Sequence, residues 1–399
     1  MRIGFVAWES LHSVRSGGLA AHVTELAAGL QRRGHEVHVF TRQAPGQGSY
    51  ENHYGVHYHL TGAPVHSSFS DSVAVFNEHL AVLFDRVTAS VGRFTVVHAH
   101  DWLTVAAMSY VNQHHGIPAI LTIHSTEYGR SGNIFSPADQ SVRIIEIERL
   151  GMLCASRVIA VSEFTRNELI NAYGIPAERI SMVHNGCSVA ELNGWIDPGS
   201  VKRRYGIAPL EPMLLFAGRS TVQKGPDLLL EAIPSVLAAY PQARFVYCGG
   251  GEMDQWLTAR AAALGVSYAV RFAGQVPRHE LLDLLRASDG VIVPSRNEPF
   301  GIIVLEAWAA GKPVVVTRRG GPDEFVRDQV TGIKVSDSVP SVAAGVCQLL
   351  SDYPAACAMG VRGRQTVERE FSWDRIAGET ETIYCREAQP AQMAFPRQG

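Results

Sequence analysis

VIVPSRNEPFGIIVLEAWAAGK, residues 291–312, decides how this chain folds. VIVP (291–294) is a short β-branched run ending in Pro, the pattern of a buried strand. Pro299 suits the first position of a helix, and the IIVLEAWAA after Gly301 is apolar and rich in Ala and Leu. The stretch therefore reads as strand, acidic loop, helix, which is half of a βαβ unit. Glu298 becomes the last loop residue, and Glu306, with seven residues between the two, lies about two turns up the helix. A helix N-terminus offers unpaired N–H groups and partial positive charge, a natural seat for phosphate. A glutamate at its mouth, and no lysine in that loop, points instead to a neutral group carrying hydroxyls. Taken alone, the two carboxylates fit a helix cap and a solvated face residue equally well.

The same alternation runs outward on both sides. Upstream come MLLFAG (213–218), an amphipathic stretch 226–240, RFVYCGG (244–250), a helix 253–264, VRFAG (270–274) and a helix 279–287; downstream come PVVVTRRGG, GIKV and a last helical run. At the N-terminus, IGFVAW (3–8), a loop with Ser16, Gly17 and Gly18, a helix apolar at Leu19, Val23, Leu26 and Leu30, and EVHVF (36–40) form another βαβ unit with a parallel sheet. That loop is not GxGxxG, and no acidic residue closes EVHVF, which disfavours a dinucleotide. Residues 50–66 read as strands at an edge, and 70–92 as a long helix with Asp71, Glu78 and Asp85 against a single Arg86, the opposite of what an anionic membrane selects.

Four strand ends of this half carry polar groups, where ligands of open α/β sheets gather. VVHAHDW (96–102) puts His98 and His100 on one face and Asp101 on the other; hydrogen bonding at a strand end is a better account of them than a metal. AILTIHSTEYG (119–129) delivers His124 and Glu127. RVIAVSEFTRNELINAYG (157–174) adds a strand, an N-capping Ser162 and a helix, and SMVHNG (181–186) ends at Asn185. Composition changes across 189–213, where prolines, glycines and charges show little periodicity, and the domain boundary belongs there.

At 399 residues the chain holds about two domains. Its 35 Lys and Arg against 38 acidic residues, net charge -3, give no reason to expect nucleic acid. No apolar run is long enough to span a membrane, and Glu9 interrupts IGFVAW too soon for a signal peptide, so a soluble, cytoplasmic protein is expected. The six cysteines are scattered without a CxxC pair, which speaks against disulfides and zinc and for buried thiols.

GRSTVQKG (218–225) presents Arg219 and Lys224 in a glycine-bounded loop at a strand end, two fixed cations suited to a diphosphate. GGGE (249–252) and GQV (274–276) are two more turns on the same edge, fit for a nucleoside to lie against backbone.

With GGLA near the N-terminus, HNG before the linker, GRSTVQKG, EPFGIIVLE and the closing FSWDRIAGETETIY, in that order over nearly the whole chain, the sequence resembles the retaining glycosyltransferases of family 4. GGLA, HAHDW and TIHSTEYG are also similar to glycogen and starch synthases. The resemblance implies an α/β, GT-B fold, two Rossmann-like doubly wound domains facing each other across a cleft. It implies an acceptor-side domain over 1–190, completed by a crossover helix at about 372–388, a nucleotide-sugar domain over 191–371, and a flexible tail over 389–399.

By the same resemblance Arg219 and Lys224 would hold the departing diphosphate, with His124 beside the donor sugar and Glu298 on its hydroxyls. Glu306 would take the ribose. Gly17, Gly18, Gly250, Val276, Phe300, Gly301 and Ile302 would line the donor, Asp101, Asn185 and Arg15 would stand on the acceptor or sugar side, and Ser162 with its helix would line the acceptor. Arg15 stands where the glycogen synthases usually place a lysine, and the chain is shorter than theirs. The implied reaction moves a hexose, glucose first, from a nucleotide-diphosphate sugar such as UDP-glucose or ADP-glucose to a saccharide hydroxyl, with retention and with no metal or cofactor. Transfer to a small or lipid-linked acceptor, and a sugar-nucleotide epimerase of the same fold, are the alternatives. Donor, acceptor and oligomeric state are left open.

Overall fold

The computed structural model describes residues 1–14, 18–66 and 68–389. Two sheets organise it. The first has the order β3-β4-β2-β1-β5-β6-β7-β8, from β1 (Arg2–Val6), β2 (Glu36–Arg42), β3 (Tyr50–His53), β4 (Val56–Thr61), β5 (Val96–His100), β6 (Ala119–Ile123), β7 (Arg157–Ala160) and β8 (Ile180–Met182). All its pairs are parallel except the β3–β4 hairpin. The second is all parallel, in the order β11-β10-β9-β12-β13-β14, from β9 (Met213–Ala217), β10 (Arg244–Cys248), β11 (Val270–Gly274), β12 (Gly290–Val293), β13 (Val314–Thr317) and β14 (Ile333–Val335). Strands covered on both faces are mostly apolar, and every residue of β5, β6, β12 and β13 is buried, including His98 and His100 of β5.

Each sheet carries helices on both faces. On one face of the first, Phe76, Leu80 and Phe84 of the helix Phe69–Val91 pack with Met108 and Met152. On the other, Val23, Leu26 and Leu30 of the helix Gly18–Arg32 meet Trp373, Ile376 and Tyr384 of the last helix, Trp373–Glu387. That last helix follows the second domain in sequence but belongs to the first domain's core. Polar contacts hold it there: Tyr384 bonds His98, Arg32 pairs with Asp374 at 2.8 Å, and Arg157 pairs with Glu387 at 2.9 Å.

Several details depart from the sequence reading. The helix after β12 runs Ile302–Ala309 and so begins three residues beyond Pro299; Glu306 is its fifth residue, about one turn in. Gly301 precedes it at φ +91°, a left-handed turn that glycine adopts without steric cost, and this extends the loop. Of the two strands in residues 50–66 only β3 lies at an edge; β4 is paired on both sides. The 189–213 segment contains a helix, Pro198–Arg204, with Asp197 capping it. All six cysteines are free, but only Cys187 and Cys248 are buried, while Cys154 and Cys385 are exposed on helices that show those positions to solvent. No helix among the described residues is long and apolar enough to cross a membrane.

Trp373 is the first residue of the last helix and is buried against Gly186, where an added Cβ would lie 2.6 Å from the indole. Trp373→Ala should cost about 3–5 kcal/mol, read as a lowered midpoint in urea. A loss under about 1 kcal/mol would mean that the last helix is not a structural part of the first domain's core.

Candidate active site

The loops leaving β9 and β12 are locked together. Lys224, in a single turn of 3-10 helix, places Nζ 2.7 and 2.9 Å from the two carboxylate oxygens of Glu298. Ser295 Oγ donates to Glu298 Oε2 at 2.9 Å, and the carboxylate is 5% exposed. A charge so buried needs such partners. The backbone is fixed as well: Arg296 N donates to Gln223 O at 2.9 Å and Gly321 N donates to Glu298 O at 2.8 Å. Gly320 permits this approach, since a Cβ there would stand 2.0 Å from Glu298 O. The loop sequence holds no lysine, yet folding supplies one from 74 residues away. The expectation of a cation-free mouth is thereby corrected.

Arg219 donates to Gln223 Oε1 at 3.1 Å. Desolvation lowers its pKa, the neighbouring Arg130 of the first domain lowers it further, and Glu298, Glu252 and Asp101 oppose them. Glu306 is not free: Arg278 binds it through Nη1 and binds Glu191 through Nη2 at 2.7 Å. A ribose on Glu306 would have to share it with Arg278. Around these groups the Val276 backbone lies by the Cys248 thiol, Gly250 O accepts from Ser220 N at 3.1 Å, and Phe300 is buried against His184 and Phe325.

The first domain meets this loop directly. Ser162 caps the helix Glu163–Asn171, and its hydroxyl also donates to Pro299 O at 2.5 Å, next to Glu298. Thr165 Oγ1 reaches the same carbonyl at 3.3 Å, and Glu324 of the second domain accepts from Glu163 N at 3.0 Å. Ser162, read from sequence as lining an acceptor, is thus buried in an interdomain contact. Asn297 bonds Asn133 at 2.5 Å, and Ile302 comes within 3.2 Å of a Cβ built on Gly18. Arg15 and Gly17 lie outside the described residues.

Facing the loop are the ends of β5 and β6. Asp101 sits at φ +56° and is 8% exposed, and its Oδ1 accepts from His124 N at 2.7 Å and Ser125 N at 3.4 Å. Burial pushes its pKa up to about 6, with Arg130 the main opposing influence. His98 is tied to Tyr384 and Thr122, whereas His100 Nδ1 lies 3.2 Å from His124 Nε2. Asn185 Oδ1 bonds His22 Nδ1 at 2.7 Å, and the His22 and His124 rings are 4.4 Å apart. Burial holds His22, His98 and His100 well below the usual imidazole range and brings His124 down to about 3, so all four are neutral near pH 7.

Sequence reasoning missed His22, Arg130 and Arg278. His22 occupies a helix position that reads as core. Arg130 is bound to Glu127 at 3.0 Å, at i,i+3 spacing, and to Glu148 at 2.9 Å from a separate helix, and Arg278 finds its partners 28 and 87 residues away, where no spacing rule reaches.

Two facing parallel-sheet domains, with cations and carboxylates gathered at their strand ends, define the class: a glycosyltransferase of the GT-B architecture. The family models agree, with Glycosyltransferase Family 4 matching residues 16–191 and Glycosyl transferases group 1 matching residues 200–366. An uncharacterised glycosyltransferase of Methanocaldococcus jannaschii is 35% identical, over 96% of this chain and 98% of that one. A glycogen synthase of Mycobacterium tuberculosis is 30% identical, over 100% of this chain and 97% of that one. The chain belongs to glycosyltransferase family 4. Among solved structures the fold is shared by a sucrose-phosphate synthase from Thermosynechococcus elongatus, with TM-score 0.80 and 21% identity over 97% of this chain and 99% of that one. It is also shared by Anabaena HepE, solved with UDP-glucose, with TM-score 0.75 and 20% identity over 96% and 100%.

The folded state holds the Asp101 proton more tightly than the unfolded chain, so this group's contribution to stability falls as pH rises from about 4 through about 6. Asp101→Asn carries no such proton. The variant should therefore gain on the wild type across that window by roughly 2 kcal/mol, measured as the difference in melting temperature. A difference that does not change with pH would show that Asp101 is ionised throughout.

Proposed function

We propose that this glycosyltransferase moves a hexose, glucose in the first place, from a nucleotide-diphosphate sugar to a saccharide hydroxyl, with retention and without a required metal. The observation that carries the reading is Lys224 bound to Glu298, with Arg219 beside them, opposite the neutral His124 and the buried Asp101. A departing diphosphate gathers negative charge. Preorganised Arg and Lys donors aimed at it supply roughly a hundred- to thousand-fold each.

In this reading Arg219 and Lys224 take the diphosphate, with Gly17 and Gly18 closing on it from the first domain and Arg15 on the acceptor or sugar side. Gly250, Val276, Phe300, Gly301 and Ile302 line the nucleotide and sugar, and Glu306 takes the ribose while exchanging a bond with Arg278. The uncharged His124 offers a hydrogen bond to a sugar hydroxyl, and Asp101 and Asn185 stand on the saccharide side. Glu298, bound by Lys224 on both oxygens and by Ser295, is better suited to orienting hydroxyls than to attacking carbon. That supports attack from the face the diphosphate leaves rather than a double displacement. The glycogen synthase relative supports a glucan acceptor, and HepE supports a UDP-linked donor. A cytoplasmic location suits such a donor.

The test is a screen of UDP-glucose, ADP-glucose, GDP-mannose and UDP-N-acetylglucosamine for binding and for nucleotide release with and without glycogen. Release stimulated by glycogen is expected. Slow, glycogen-independent release would move the acceptor elsewhere, and no binding of any donor would sink the proposal. Lys224→Ala should lower kcat by about two to three orders of magnitude and also destabilise the fold, because Glu298 keeps only Ser295. Adding Glu298→Gln should restore the melting temperature and leave turnover low; full turnover in either variant would remove Lys224 from the mechanism.

A further inference from the structure

Three imidazoles meet where the first helix faces the ends of β5 and β6. His22 comes from the helix, His100 closes β5 and His124 follows β6. One nitrogen from each lies within 4.8 Å of the other two, and among the described residues this is the one such grouping of potential ligands. His22 and His100 are buried, and the Nε2 atom of each has no hydrogen-bond partner in the folded protein. A buried polar atom left unpaired is costly, so the open Nε2 of His22, whose ring centre lies 4.4 Å from that of His124, needs an account.

We propose that His22, His100 and His124 form a binding site for a divalent ion of the zinc class, one the transfer reaction does not require and which competes with it.

The geometry carries this in three ways. The 3.2 Å between His100 Nδ1 and His124 Nε2 is close to the roughly 3.3 Å that separates two nitrogens bound tetrahedrally at about 2.0 Å from one zinc ion. An ion can therefore replace the single proton now shared between those rings. Next, Asn185 Oδ1 accepts from His22 Nδ1 at 2.7 Å, which places the His22 proton on Nδ1 and leaves Nε2 with its lone pair. This is the outer hydrogen bond that orients a metal-binding histidine. Finally, the set is all nitrogen. The nearest carboxylate, Asp101, is engaged by the backbone of His124 and Ser125. Neutral imidazoles select zinc, cobalt, nickel or copper over magnesium or calcium, which prefer oxygen. Three protein ligands leave a fourth position for water.

The competition clause rests on the role proposed above for His124; the site itself does not. Binding is therefore tested without any sugar nucleotide. Chelator-stripped protein is titrated with Zn2+ against a chromophoric chelator, and with Co2+ followed by visible absorption. One equivalent of Zn2+ and the d–d bands of nitrogen-ligated tetrahedral Co2+ are expected. His22→Ala should weaken Zn2+ binding at least about tenfold, with circular dichroism and a melting curve confirming its fold. The Co2+ spectrum of the unaltered protein reports the ligands even where the variant fails to fold. No Zn2+ binding, equal affinity in a folded His22→Ala, or the thiolate charge-transfer band of a cysteine site would each overturn the proposal.

Discussion

Glu298 is a charged group almost out of reach of water, and most of the second domain's site follows from the need to compensate it. Lys224 must stand within hydrogen-bond distance, so the loop after β9 has to turn back across β12. Ser295 adds a neutral donor, and the Gly320–Gly321 turn closes on the Glu298 carbonyl from the other side. The same loop then offers the Pro299 carbonyl to Ser162 and Thr165 of the first domain. One carboxylate thus fixes the relative position of three strand exits, and its neighbouring peptide ties them to the opposite domain. Such a pair adds little net stability, because desolvating both charges offsets much of their attraction; what it provides is a definite geometry.

The first domain solves the opposite problem. Its strand ends gather imidazoles that burial keeps neutral, beside the ion-paired Arg130, Glu127 and Glu148. Asp101 is held by backbone N–H groups, with Arg130 and Arg219 within electrostatic reach. The cleft therefore sets Arg219 and the Lys224–Glu298 pair of the second domain against the neutral histidines, Asp101 and Arg130 of the first. A substrate with an anionic end and a hydroxylated end matches that division.

How much of this was legible in the sequence depended on distance along the chain. VIV at 291–293, VVV at 314–316 and the IGFV of β1 announce strands because a doubly covered strand is mostly apolar. Ser162 is readable as a cap because its partner, Thr165 N, is three residues away. Glu298 and Lys224 could each be picked out, but their pairing could not, since only the turn between β9 and β12 brings them together. Arg278 gave no signal, as its partners sit on two other elements. The late start of the helix at Ile302 was hidden by Pro299, whose preference for a first turn lost to the demand that the Pro299 carbonyl point at Ser162.

The chain crosses between domains twice, through the segment after β8 and through the turn before the last helix, and the two crossings are bonded to each other. Cys187 N donates to Phe371 O at 2.9 Å, and the His184 and Phe371 rings lie 5.5 Å apart. Just beside this junction Trp373 packs on Gly186 and against His22 at 5.5 Å, while Asn185 holds the other side of His22. A rotation of one domain on the other would turn about these crossings, because the covalent connections leave it nowhere else to pivot. The pivot is therefore built from the same residues that orient the histidine cluster. Opening the cleft would therefore bear on His22 through Trp373 and Asn185, which stand beside the crossings, while the Pro299–Ser162 bond holds the domains together at the mouth.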